Sequence, residues 1–285
     1  MRTIRTIPEL RARLRRAREA GRTVGLVPTM GAFHAGHHAL MRAARQQQDE
    51  VVVSLFVNPA QFDDSADLDA YPRSEEQDAA EAAGLGVDVL FAPPVEEVYP
   101  AGFATSVTVA GLGEVLEGAE RGPGHFAGVC TVVAKLLNMV QPDVAYFGQK
   151  DAQQVAVVNR MVRDLDMPVR IEVLPTVREL DGLALSSRNR RLSPADRTRA
   201  LALSRGLDAA RAAYEAGERD AGALCAAAAA TLDGLRPEYL AVVDPVTFAP
   251  LTTLDGPALV AIAACVGPVR LIDNVLLEPV PVATG

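Results

Sequence analysis

Along the chain, apolar positions alternate between a helical spacing and short continuous runs. Leu10, Leu14 and Ala17 share one face of a helix predicted over residues 8–20, and a strand over 23–27 follows. The pattern continues with helix 36–48, a nearly continuous apolar strand 51–57, helix 74–83 and strand 87–91. Helix 129–140, strand 144–147, helix 151–165 and strand 169–174 complete it. Such strands with helices between them predict an α/β domain whose parallel sheet is covered on both faces. After Pro175 the character changes. Two alanine-rich helices, 195–213 and 221–232, precede strand-like runs at 239–243, 258–264 and 269–271. This reads as a smaller C-terminal α+β domain, dividing the chain into 1–176 and 177–285.

Composition narrows the class. At 285 residues and 49% hydrophobic, the chain is long enough to bury a real core. No run approaches the roughly 20 apolar residues that cross a bilayer. The arginine-rich start lacks an apolar stretch and is interrupted by Glu9 and Glu19, so it reads as a surface helix with solvated arginines. A net charge of −8 disfavours nucleic acid and acidic membranes as partners, while permitting a local basic pocket for phosphates. Cys130, Cys225 and Cys265 are far apart and form no CxxC pair, which fits a reducing cytoplasm.

The richest segment is Val27-Pro28-Thr29-Met30-Gly31-Ala32-Phe33-His34-Ala35-Gly36-His37-His38, at the end of the first predicted strand and the start of a helix. Ligands of open α/β sheets bind beyond the carboxyl ends of strands, where helix N-termini point N–H groups outward. Gly31 permits a tight turn, Gly36 permits close approach of a phosphate, and His34 and His37 share a first helical turn. The same histidine spacing serves metals, but no cysteine or carboxylate neighbours it in sequence. Neither a GxxxxGK[ST] loop nor a strand-linked GxGxxG occurs.

Three further segments carry candidate groups. Asn58 and Gln61, after the strand 51–57, are neutral hydrogen-bonding groups suited to reading hydroxyls, or else ordinary turn residues. In Phe147-Gly148-Gln149-Lys150-Asp151-Ala152-Gln153-Gln154, Lys150 offers a point charge for phosphate. Asp151 is a helix N-cap or a ribose ligand, and Gln154 follows on its face. In Leu185-Ser186-Ser187-Arg188-Asn189, hydroxyls and a guanidinium fork share one loop.

Taken together, PTMGAFHAGH, FVNPAQF, YPR (Tyr71 to Arg73), PGHFAGV (Pro123 to Val129), VQPDVAYFGQKDAQQ and DGLALSSRN resemble the pantothenate synthetase (pantoate–β-alanine ligase) family, in the family's order across residues 3–192. HAGH resembles the HxGH signature of the wider nucleotidyltransferase superfamily. LSSRN stands where that superfamily has a lysine- and serine-rich phosphate loop. The resemblance implies a Rossmann-like ATP domain with a small C-terminal lid, a homodimer, ATP as substrate and a requirement for Mg²⁺. Pantoate would attack the α-phosphate of ATP to give pantoyl adenylate and pyrophosphate. The β-alanine amine would then displace AMP.

By matching motif, Met30, Gly31, Ala32, Phe33, His34, Ala35, Gly36 and His37 would hold ATP, with His34 and His37 at the phosphates and His37 as proton donor. Gly148, Gln149, Lys150 and Asp151 would also bind ATP, Lys150 at phosphate and Asp151 at ribose. Val177 would touch adenine, while Leu185, Ser186, Ser187 and Arg188 would close over the phosphates. Gln61 and Gln154 would bind pantoate, and Gln61 would help to place β-alanine. His37, His34, Lys150 and Arg188 would carry the catalysis. The resemblance assigns no metal ligands. The chain departs from the family at Gln149, where Glu is usual, and at Gly122, which separates Arg121 from Pro123. Rival readings are a nucleotidyltransferase acting on a phosphate substrate, a non-catalytic nucleotide sensor, and a metal-dependent hydrolase.

Overall fold

Each apolar run before Pro175 becomes a strand of one parallel sheet in the computed structural model, which describes residues 1–62, 68, 69, 71–122 and 124–279. The strands are β1 (Arg2–Ile4), β2 (Val24–Thr29), β3 (Glu50–Leu55), β4 (Val89–Phe91), β5 (Val144–Gly148) and β6 (Arg170–Leu174), in the spatial order β1-β4-β3-β2-β5-β6. Between them run helices α1 (Ile7–Glu19), α2 (Ala35–Gln47), α3 (Glu75–Gly84), α4 (Val95–Val98), α5 (Glu117–Arg121), α6 (Gly124–Val140) and α7 (Ala152–Asp164). Leu26, Val27, Val51, Val52, Val53 and Leu90 are wholly buried. Each such side chain contributes about 1.5–3 kcal/mol relative to exposure, and this is what makes continuous apolar runs into interior strands.

Two expectations change. β1 was not anticipated, because three residues are too few to show a period; it is recruited by pairing Arg2 to Val89 and Ile4 to Phe91. The N-terminal helix does bury Leu10, Leu14 and Ala17, but not all of its arginines are merely solvated. Arg13 reaches the buried carboxylate of Glu50 at 2.5 Å, and Arg18 donates to the carbonyl of Gln141 at 2.8 Å.

Chain order reverses between β2 and β5, so that position is the switch point of the sheet. The β2–β3 ladder runs through to Thr29 and Leu55, yet the β2–β5 ladder ends at Leu26 and Ala145. Pro28, inside β2, has no N–H to offer. Strands β2 and β5 therefore run unpaired to each other at their carboxyl ends, which is where a ligand crevice belongs.

The chain forms two compact units, one of residues 1–149 and 153–175, the other of Lys150–Ala152 and the chain from Thr176 onward. In the second, α8 (Pro194–Glu215) and α9 (Ala221–Ala229) pack on an antiparallel sheet of β7 (Pro237–Val243), β8 (Ala258–Val266) and β9 (Val269–Leu277). Its core includes Leu203, Leu207, Leu224, Val260 and Ile262. Cys130 is buried in α6, where desolvation pushes its thiol up to about 11; Cys225 is half-buried and Cys265 exposed. Among the described residues, no helix is long and apolar enough to cross a membrane.

Candidate active site

The turn after β2 is held almost entirely through its backbone. Gly31 and Ala32 take left-handed φ values of +85° and +53°, the second uncommon for a residue with a Cβ. A carboxylate fixes them. Asp78 of α3, 2% exposed, accepts the N–H of Ala32 at Oδ2 and that of Phe33 at Oδ1, both at 2.9 Å. The Ser74 hydroxyl donates to Asp78 Oδ2 at 3.1 Å, and Thr29 Oγ1 accepts from Gly31 N at 3.3 Å. Sequence reasoning missed Asp78, which lies 46 positions from Ala32. The one available clue was a carboxylate in mid-helix on the apolar side of α3, near Ala82.

The two candidate histidines cap α2. Gly36 N donates to His34 Nδ1 at 3.2 Å, and His34 N donates to His37 Nδ1 at 3.3 Å. A ring nitrogen that accepts an N–H carries no proton, so both neutral imidazoles hold theirs on Nε2. Their ring centroids lie 4.1 Å apart. Glycine at position 36 suits this cap, since a Cβ there would meet His34 Cε1 at 2.9 Å. The third histidine, His38, pairs through Nε2 with Glu81 of α3 at 2.7 Å. Carboxylates thus approach this segment in space, though not in sequence. Among the described residues, no three His, Cys, Asp or Glu side chains converge as a metal cage.

Beyond β3, Asn58 is a bolt rather than a ligand group. It is 1% exposed, accepts the Tyr99 hydroxyl at 2.8 Å, and donates to Gln61 Oε1 at 3.0 Å and the Gly128 carbonyl at 3.1 Å. Burial pushes the Tyr99 phenol up to about 12, which keeps it a donor. Gln61 in turn places Nε2 3.1 Å from Met30 Sδ, joining this segment to the turn after β2. From α6, His125 Nδ1 lies 2.9 Å from the Gln61 carbonyl. Gly128 has no room for a side chain: a Cβ would sit 2.1 Å from the Ala60 carbonyl oxygen. Helix α6 starts at Gly124, earlier than its apolar spacing indicated, and so includes His125. Gly122 ends α5 at φ +88°, and Pro123 lies outside the described residues.

Gly148 closes β5, and Gln149–Asp151 form a short 3₁₀ turn into α7. Gln154 is half-buried in the first turn of α7. Its neighbour Gln153 is structural: it accepts Glu117 N at 3.0 Å and donates to the carbonyls of Leu112 and Val115. In the second unit, Lys150 Nζ lies 3.4 Å from Asp151 Oδ1. Val177 accepts Leu185 N at 3.0 Å, and Ser186 Oγ accepts Arg188 N at 3.3 Å, opening the 3₁₀ turn Ser187–Arg191. Met30, His34, His37 and Gln61 therefore gather at the carboxyl ends of β2 and β3, with Gly148 and Gln149 ending β5 beside β2. Lys150, Asp151, Val177 and Leu185 to Arg188 belong to the second unit.

A parallel α/β sheet with a His-x-Gly-His helix start at its switch point is an open α/β fold of the kind that binds its ligand beyond the carboxyl ends of the strands. The family model for pantoate–β-alanine ligase matches residues 2–276. The pantothenate synthetase of Moorella thermoacetica is 53% identical over 98% of this chain and 99% of its own, and one from Cereibacter sphaeroides is 54% identical over 95% and 98%. A crystal structure of pantothenate synthetase from Thermus thermophilus superposes with a TM-score of 0.92 at 49% identity, covering 98% of this chain and 100% of that one. The pantoate–β-alanine ligase of Francisella tularensis, a complex with β,γ-ATP and β-alanine, gives 0.77 at 34% identity over 97% of each chain. The chain belongs to the pantoate–β-alanine ligase family.

Proposed function

We propose that this chain condenses pantoate with β-alanine at the expense of ATP, through pantoyl adenylate. The observation that carries the reading is the histidine pair at the start of α2, whose Nδ1 atoms are committed to backbone N–H groups, so that both neutral rings hold their proton on Nε2. Nucleotidyl transfer needs little covalent help from a protein; it needs donors placed where charge develops.

In the first half-reaction a pantoate carboxylate oxygen forms a bond to the α-phosphorus. The bond to pyrophosphate breaks, and the leaving oxygens take up the new charge. Nε2–H of His34 and of His37 donates a hydrogen bond to that charge, His37 foremost, while Lys150 and Arg188 neutralise phosphate. Met30 to His37, Gly148 to Asp151, Val177 and Leu185 to Arg188 hold the nucleotide, with Asp151 at ribose. Gln61 and Gln154 bind the hydroxyls and carboxylate of pantoate. In the second half-reaction the neutral amine of β-alanine, placed by Gln61, forms a bond to the acyl carbon. The bond to AMP oxygen breaks, and the amine loses a proton. Residues 1–176 form the ATP- and pantoate-binding domain, and 177–285 the smaller one.

Magnesium enters as part of the nucleotide substrate. Mg²⁺ is held mostly by substrate phosphates and water with one or two carboxylates, so the nucleotide itself would supply most of its ligands. Assembly as a homodimer draws support from exposed Phe103 and Val115, which flank residues 104–114, a segment that joins neither sheet. A cytoplasmic site of action fits three cysteines without a disulfide framework.

The test is pyrophosphate release from Mg·ATP. A pantoate-dependent burst near one equivalent, with turnover only after β-alanine is added, is expected. Folded, ATP-bound protein that gives neither would overturn the proposal.

A further inference from the structure

Two adjacent residues of β9, Asp273 and Asn274, are polar yet only 3% and 5% exposed. Successive strand residues point to opposite faces, so one strand position serves two directions. On one side, Asn274 Nδ2 donates to the carbonyl of Lys150 at 2.9 Å, within the second compact unit. On the other, Asp273 receives both arms of the Arg178 guanidinium, Nη1 to Oδ2 at 2.6 Å and Nη2 to Oδ1 at 3.0 Å.

Arg178 braces a short hairpin. It bridges to Ala184 across the turn, and its Nη1 also donates to the carbonyl of Gly182, whose φ is +94°. The next pair, Leu185 N on the Val177 carbonyl, delivers the chain directly into Ser186, Ser187 and Arg188. Asn274 N donates to Asp273 Oδ1 at 2.8 Å, so the two anchors are also bonded to each other. Bidentate guanidinium–carboxylate pairing fixes orientation as well as distance.

We infer that Asp273 and Asn274 are positioning residues that set, from one point of β9, the two cationic elements of the phosphate site, Lys150 and the turn bearing Arg188. The inference rests on the reading of Lys150 and Arg188 as phosphate-binding groups. Asn274 acts by fixing the Lys150 backbone, and Asp273 acts by holding the hairpin that ends at Ser186.

Double-mutant cycles on the full-length protein test it, reading kcat and KM for ATP in the pyrophosphate burst together with thermal unfolding. Asn274→Ala is expected to lower kcat/KM for ATP roughly tenfold, the scale of one lost positioning hydrogen bond. Asn274→Asp keeps the shape but loses the donor, so it is expected to fall at least as far. In a Lys150→Ala background the Asn274→Ala effect should vanish, and in an Arg188→Ala background that of Asp273→Asn should vanish. Full additivity in both cycles, or restoration of wild-type kinetics by Asn274→Asp, would overturn the inference while leaving the proposed function intact. Silent Lys150→Ala and Arg188→Ala variants would overturn the reading of those residues, and the inference with it. A fall in unfolding temperature with unchanged KM and kcat would mark the pair as structural only and would also overturn it.

Discussion

The turn after β2 and the turn that begins at Ser186 both present phosphate-type groups, but they are built in opposite ways. In the first, Gly31, Ala32 and Phe33 are buried, two residues adopt left-handed backbone, and a sequestered carboxylate clamps consecutive N–H groups. In the second, no residue of Ser187–Arg191 is buried; Ser186 Oγ caps it, and Asn189 ties it to Glu179 and the Ala184 carbonyl. Strained backbone persists only where its surroundings over-determine it. The histidines are thus fixed by the fold itself, whereas the arginine turn rests on a few polar contacts near solvent.

Removing the proposed phosphate-contacting histidine is expected to give the largest effect. His37→Ala should slow pyrophosphate release in a single turnover by about 10²–10³-fold, the usual worth of one hydrogen-bond donor to charge that develops in the transition state, with the fold retained. An undiminished single-turnover rate would remove His37 from the chemistry. Next comes the clamp. Asp78→Ala orphans two buried N–H groups at roughly 1–3 kcal/mol each and should lower both stability and the burst rate, as denaturant titration and single-turnover kinetics would register.

The corresponding change in the second turn, Ser186→Ala, should cost only about 0.5–2 kcal/mol, as for other lost caps. If it matched Asp78→Ala in denaturant titration, the contrast between the two turns would collapse. The smallest effect lies outside both. Glu50 is buried beside Arg13 and Arg22, and desolvation raises its carboxyl above the ordinary range. A raised folded value favours the protonated form, so the stability this group contributes at low pH is lost as pH rises through that value. Glu50→Gln should therefore gain on the parent protein as pH rises from the ordinary carboxylate range through the raised folded value. Melting temperatures whose difference did not change with pH would contradict this.

Much of this was legible in the sequence. The three strand-end motifs follow β2, β3 and β5, neighbours in the sheet, because a continuous apolar run followed by glycine, asparagine or histidine reports burial and then a turn. The face of Leu10, Leu14 and Ala17 was legible for the same reason. What stayed hidden depends on contacts between distant positions. Asp78, Asn58 with Tyr99, and the fork of Arg178 on Asp273 each join residues more than 40 positions apart. Gly128 looks ordinary in the sequence, yet the Ala60 carbonyl lies against it, and the His34 imidazole lies against Gly36. Local pattern reports which way a residue faces; it does not report what meets it there.

The buried thiol of Cys130 has a pharmacological consequence. Held at about 11, it is almost wholly protonated at neutral pH and closed to reagents, while the exposed Cys265 sits beside Glu238, whose charge further disfavours the thiolate. Electrophilic warheads that hunt sulfur would find little purchase in this ligase.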